Sequence, residues 1–110
     1  MLPSIGRIVQ YTLTEQDASA IYIGRSNRHG NTAEAGDIYP AMIVRVWADT
    51  PTETTAVNLQ VFVDGNDTYW ATSRHQGEGP GCWVSPADQP APAPAQDQTP
   101  AVSYEQTPAE

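Results

Sequence analysis

The sequence predicts a mainly β protein: a small five-stranded antiparallel barrel or sandwich, SH3-like in size, with one short helix and a C-terminal tail. Three observations carry this. Short runs rich in β-branched and aromatic residues recur between residues 6 and 84, separated by clusters of Gly, Pro, Asn and Asp. One stretch, after Leu13, switches to a helical period. From Pro86 onward the composition changes: the last 25 residues hold six prolines, six alanines and no basic residue. A sheet this small exposes two edges unless it bends and closes, so a strongly curved barrel with the helix over one open end is the economical arrangement.

The first strand is read from Gly6 to Leu13. Thr14 follows as an N-cap, with Glu15 and Asp17 in the first turn facing the positive end of the helix. Leu13 and Ala18 have the spacing of a hydrophobic staple. Ala18, Ile21 and Tyr22 recur at i, i+3, i+4 as one apolar face, and Gly24 serves as the stop, giving a helix over residues 15–23. Residues 24–38 read as a long loop. The second strand is read over residues 41–48, with Met42, Val44 and Val46 on one face and Ile43, Arg45 and Trp47 on the other. Val57, Leu59, Val61 and Val63 alternate with Asn58, Gln60 and Phe62, the firmest half-buried strand in the chain. Asp64-Gly-Asn-Asp67 is a hairpin loop in which Gly65 and Asn66 are expected to take positive φ. Thr68 to Arg74 returns as its partner strand. The glycines of residues 77–81 turn the chain into a short strand over residues 82–84.

The division into domains follows from composition. Residues 1–85 form the β-domain, with nine acids and five arginines; residues 86–110 are an acidic Pro/Ala-rich segment with four acids. That segment has only Val102 and Tyr104 as large apolar groups, too little to offset the entropy of ordering, so it is expected to be a solvated, disordered tail. Its Pro90-Ala91-Pro92-Ala93-Pro94 run favours an extended conformation. The functional alternative has Val102 and Tyr104 docking on a neighbouring surface.

Charge and composition exclude several chemistries. The net charge is −8, all basic residues are arginines, and lysine is absent. Schiff-base chemistry on a side-chain amine and a Gly-Lys-Ser/Thr phosphate loop are therefore excluded. The acidic balance argues against nucleic acid as a partner. No apolar run approaches the ~20 residues of a membrane span, and no signal peptide is visible. One cysteine, Cys82, excludes an intramolecular disulfide.

Few residues suggest a catalytic or metal site, and no cofactor is expected. Ser73, His75 and Asp67 are near in sequence but lack the glycine pattern of a nucleophile elbow. A Cys82–His75 pair around the glycine turn would activate the thiol, although a lone cysteine beside Trp83 reads more simply as a small buried group. His29, His75 and Cys82 lack paired zinc spacings, and Asp64, Asn66 and Asp67 lack the remainder of a calcium loop. The glycines of residues 77–81 precede a strand and lack a basic residue, which excludes a phosphate cradle. Arg25, Arg28 and His29 form the only basic cluster and are the candidate anion contact; the alternative is a solvated loop.

The aromatic residues are in surplus. Trp47, Phe62, Trp70 and Tyr69 cannot all point inward if Met42, Val44, Val46, Leu59, Val61 and Val63 fill the core. The preferred placement is a second small core beneath the helix, shared with Ile43. The other is an exposed patch marking an interface, for which Trp47, Phe62, Trp70, Val102 and Tyr104 are the candidate contacts.

The motifs Gly6-Arg-Ile-Val9 with Tyr11-Thr12, Thr14-Glu-Gln-Asp-Ala18, Ile43-Val-Arg-Val-Trp47, Asp64-Gly-Asn-Asp-Thr-Tyr-Trp-Ala-Thr72 and Gly77-Glu-Gly-Pro-Gly81 resemble small proteins of phages infecting actinobacteria. The resemblance spans roughly residues 4–86. Similar chains close with Trp-x-Trp-Pro, whereas here Trp83-Val-Ser-Pro86 carries Ser85 in place of the second tryptophan. The resemblance implies a phage origin and the fold, and supplies no catalytic mechanism. The functional expectation is a non-enzymatic, protein-binding accessory part of the virion, either a capsid decoration or a head–tail component, with a phage structural protein such as the major capsid protein, or itself, as partner. The alternative is an early protein of the host cytoplasm that blocks a host factor or holds an anionic small molecule on Arg25, Arg28 and His29.

Overall fold

A computed structural model describes residues 1–25 and 29–86. Arg28 and the tail from residue 87, with Val102 and Tyr104, lie outside the described residues. The elements run β1 (Ile8–Thr12), α1 (Glu15–Gly24), β2 (Ile38–Val46), β3 (Val57–Phe62), β4 (Thr68–Gln76) and β5 (Cys82–Val84). The five strands close into a barrel in chain order. β1 pairs antiparallel with both β2 and β5, and β2, β3 and β4 form an antiparallel meander.

The last seam differs from the antiparallel expectation. β4 and β5 run parallel, with His75 opposite Cys82 and Gln76 opposite Trp83. The turn between them makes this geometry accessible. Gly79 and Gly81 take φ of 92° and 85°, and Gly81 N–H donates to the Thr12 carbonyl at 2.8 Å, which ties the turn to β1.

The core is built by alternation. Val9 and Tyr11 of β1, Ala41 and Ile43 of β2, Val57, Leu59 and Val61 of β3, Ala71 of β4 and Trp83 of β5 are all fully buried. The strand at β2 corrects the sequence reading: Ala41 and Ile43 face the core, whereas Val44 is exposed. The cause is a β-bulge between Ile43 and Arg45, which breaks the period-2 pattern and returns Val46 to the edge of the core. A second irregularity lies in β4, opposite Val57 and Leu59, where Ser73 adopts a φ of 56°.

Two further expectations are corrected. Gly65 and Asn66 do not take positive φ, because the hairpin loop is held from outside. Asn31 N–H donates to the Asp64 carbonyl at 2.7 Å, Asn66 N–H donates to the His29 carbonyl at 3.0 Å, and Gly30 bridges Gly65. The backbones are so close that a Cβ on Gly65 would lie 2.8 Å from the Cα of Gly30. At α1, Thr14 is the N-cap as expected, but Gly24 is the last helical residue and Arg25 the C-cap. Of the expected apolar face, Ile21 is buried while Tyr22 is open to solvent.

Candidate functional site

The only fully buried charged side chain among the described residues is Asp17, at the third position of α1. Its Oδ2 accepts the backbone N–H of Thr14 at 2.9 Å and the hydroxyl of Tyr11. Its Oδ1 accepts the hydroxyl of Tyr69 at 2.8 Å and Nη2 of Arg74 at 2.9 Å. Arg74 Nε closes the circuit by donating to the Tyr11 hydroxyl at 2.7 Å. Asp17 therefore completes a capping box with Thr14 and bolts α1 to β1 and β4 across the barrel wall.

Burial alone would raise the Asp17 pKa, but the bonds from Thr14, Tyr11 and Tyr69 and the charge of Arg74 outweigh it, holding the carboxyl below its ordinary range. Burial, with the adjoining carboxylate, pushes the Tyr11 and Tyr69 hydroxyls above the ordinary tyrosine value. Each carboxylate oxygen already has two donors, so the arrangement is a fastening with no lone pair directed at a substrate. The sequence placed Asp17 only in the first helical turn. The missed signal was an acid at the N3 position of an N-capped helix in a chain with tyrosines on flanking strands.

Apart from Tyr22 on α1, the large exposed aromatics lie on the outer surface of the meander. Gln60 of β3 stands opposite Met42 of β2 and Trp70 of β4, and Met42 stands opposite Ile8 of β1. A row Ile8–Met42–Gln60–Trp70 thus crosses four strands on the outer face. Phe62 lies two residues along β3 from Gln60, on the same face and opposite Thr68. On the other side of Gln60 is Asn58, whose side-chain carbonyl accepts the indole N–H of Trp47 at 3.0 Å. Trp47, Phe62 and Trp70 are 50%, 41% and 60% exposed. The expected second core beneath the helix is therefore not formed. Ile43 joins the main core, whose twelve apolar residues close it without these aromatics.

Trp47 is nonetheless fixed in place. Its indole N–H is held by Asn58, and the Arg45 guanidinium stacks on its ring with Cζ 4.0 Å from the centroid. The same Asn58 oxygen accepts the N–H of Ser73 at 2.8 Å. One buried amide thus stabilises both bulges, and the bulge in β2 is what places Trp47 outside.

The other sequence candidates are not brought together in the same way. Arg25 donates from Nε and Nη2 to both oxygens of Asp67, at 3.0 and 3.2 Å, and from Nη1 to the Asn31 carbonyl at 2.6 Å. Its guanidinium is satisfied by the chain's own carboxylate, so it clasps residues 29–31 to the β3–β4 hairpin. A cleft of about 690 Å³ between α1 and this loop is lined by Ile21, Tyr22, Arg25 and His29 among others. Asp67, held by Arg25, is not a partner for His75. His75 and Cys82 do stand opposite one another across the parallel seam, with His75 exposed and Cys82 half-buried. Among the described residues no group of three His, Cys, Asp or Glu side chains is placed to hold a metal, and no helix is long and apolar enough to cross a membrane.

Compared with protein-family models, with curated proteins and with solved structures, the chain matches none.

Proposed function

We propose that this domain is a non-enzymatic protein-binding module that uses the outer face of β2, β3 and β4 as its contact surface, and that it serves as an accessory part of a bacteriophage virion. The observation that carries the binding reading is the outward placement of Trp47, Phe62 and Trp70 around Gln60 in a domain whose core is complete without them. Exposed aromatics on one sheet face, set about a polar centre, are characteristic of interface anchors. Trp47 is held by Asn58 and Arg45 before any partner arrives, which lowers the ordering cost of binding.

The virion assignment rests on the sequence resemblance and on shape. A small closed barrel with exposed anchors on one face suits repeated attachment to a lattice, where many weak contacts add. Quantitative mass spectrometry of purified virions tests it. A fixed, high ratio of this chain to the major capsid protein is the expected result; absence from the virion rejects the structural role. The alternative, an anion held by the arginine loop, has less support because Arg25 is already engaged by Asp67.

A further inference from the structure

The chain leaves the barrel beside this same face. β5 pairs with β1 so that Val84 stands opposite Gln10. Continuing that register by two residues carries Pro86 toward Ile8, the first member of the outer row. The segment that follows, residues 87–110, contains four acids and no basic residue, with Val102 and Tyr104 as its large apolar groups.

The face carries the complementary charge. Arg25 is paired with Asp67 and Arg74 with Asp17. Among the described residues Arg7 and Arg45 have no carboxylate partner, and both stand at the end of the barrel where β2 finishes: Arg45 on the Trp47 ring, and Arg7 just before β1, its carbonyl accepting the Ile43 N–H at 2.9 Å. In a chain of net charge −8, an apolar surface edged by two unpaired cations fits an acidic segment with apolar anchors.

Reach also fits. From Ile8 to Trp70 the row crosses three inter-strand intervals, about 14 Å. Tyr104 stands 18 residues beyond Pro86. At about 3.3 Å per residue when fully extended, that length of chain is more than sufficient to cross the row.

We infer that residues 87–110 of this chain dock in cis on the outer face of β2–β4, setting Val102 and Tyr104 against Trp47, Phe62 and Trp70 and carrying acids to Arg7 and Arg45. The segment is then an internal competitor that a partner must displace. This rests on the reading of the face as a protein-binding surface and adds its regulation.

The test is NMR of the three tryptophan indole N–H resonances in the full chain and in a Val102→Ala/Tyr104→Ala variant, with no partner present. Trp83, buried in the core, reports that the fold is intact. The expected result is a shift of the Trp47 and Trp70 resonances between the two proteins, independent of dilution, with Trp83 unmoved. Unchanged Trp47 and Trp70 resonances overturn the inference. A difference that disappears on dilution also overturns it, since the occupant is then a second copy. Because no partner is used, failure here leaves the binding reading standing, and failure of the virion measurement leaves this result intact.

Discussion

The carboxylate of Asp17 meets the guanidinium of Arg74 at 2.9 Å across 57 residues of chain, with the aspartate side chain wholly buried. Removing Asp17 leaves the partly buried Arg74 guanidinium without its carboxylate. Asp17→Ala also strips the Tyr11 and Tyr69 hydroxyls of their acceptor and breaks the capping box. The expected cost is about 3 kcal/mol, the low end of the range for breaking a buried pair, because Arg74 keeps some contact with water. Urea denaturation measures it, and a cycle with Arg74→Met should show strong non-additivity, because both residues serve one network.

The same network sets the pH range of stability. Asp17 is held ionised to lower pH in the fold than in the unfolded chain, so on acidification the unfolded chain takes up the proton first. Its contribution is complete above the ordinary carboxyl value of 3.8 and is lost as pH falls through the depressed folded value. Tyr11 and Tyr69 act at the other end. Their folded pKa values lie above the ordinary 10.0, so above pH 10 the unfolded chain loses protons that the fold retains, and stability declines as pH rises. Denaturation midpoints followed across pH should show both declines, and Tyr69→Phe should reduce the alkaline one.

How much of this was legible in the sequence depends on whether the governing signal was local. The strict alternation of Val57, Leu59, Val61 and Val63, the cap at Thr14 and the glycine turn before Cys82 are local, and the strands and helix follow from them. The facing of β2 was not legible. It depends on a bulge stabilised by Asn58, a residue on a different strand. The same bulge moved Ile43 into the core and left Trp47 outside, so the aromatic surplus was visible in the sequence while its placement was not. Arg25 looked free because Asp67, its partner, lies 42 residues away.

Asn58 links the two bulges, and its removal should affect both stability and the Trp47 anchor. In Asn58→Ala the Ser73 N–H loses its acceptor and the Trp47 indole its tether. The expected loss is about 1–3 kcal/mol, the cost of orphaning a buried donor. It should come with a red shift of tryptophan fluorescence as Trp47 is released into water. Asn58→Asp retains an acceptor oxygen at the same place and should restore the Trp47 emission. If Asn58→Ala left both stability and emission unchanged, the amide would not be what fixes the bulges.

The last contrast separates core aromatics from anchors. Trp83 is fully buried at the β1–β5 seam, and Trp83→Ala should cost about 3–5 kcal/mol as a large-to-small core substitution. Phe62 and Trp70 contribute little to that core, so Phe62→Ala and Trp70→Ala should each change stability by less than about 1 kcal/mol. Their effect should appear in binding instead: an exposed anchor that a partner desolvates typically costs about 2 kcal/mol or more when truncated, a loss of roughly thirtyfold in affinity. Thermal unfolding of the three variants beside their recovery on assembled virions gives the comparison. If Trp70→Ala unfolded the domain as readily as Trp83→Ala, the outer face would belong to the core and the anchor assignment would fail. Stable Phe62→Ala and Trp70→Ala variants that no longer incorporate are the outcome the proposed virion role predicts.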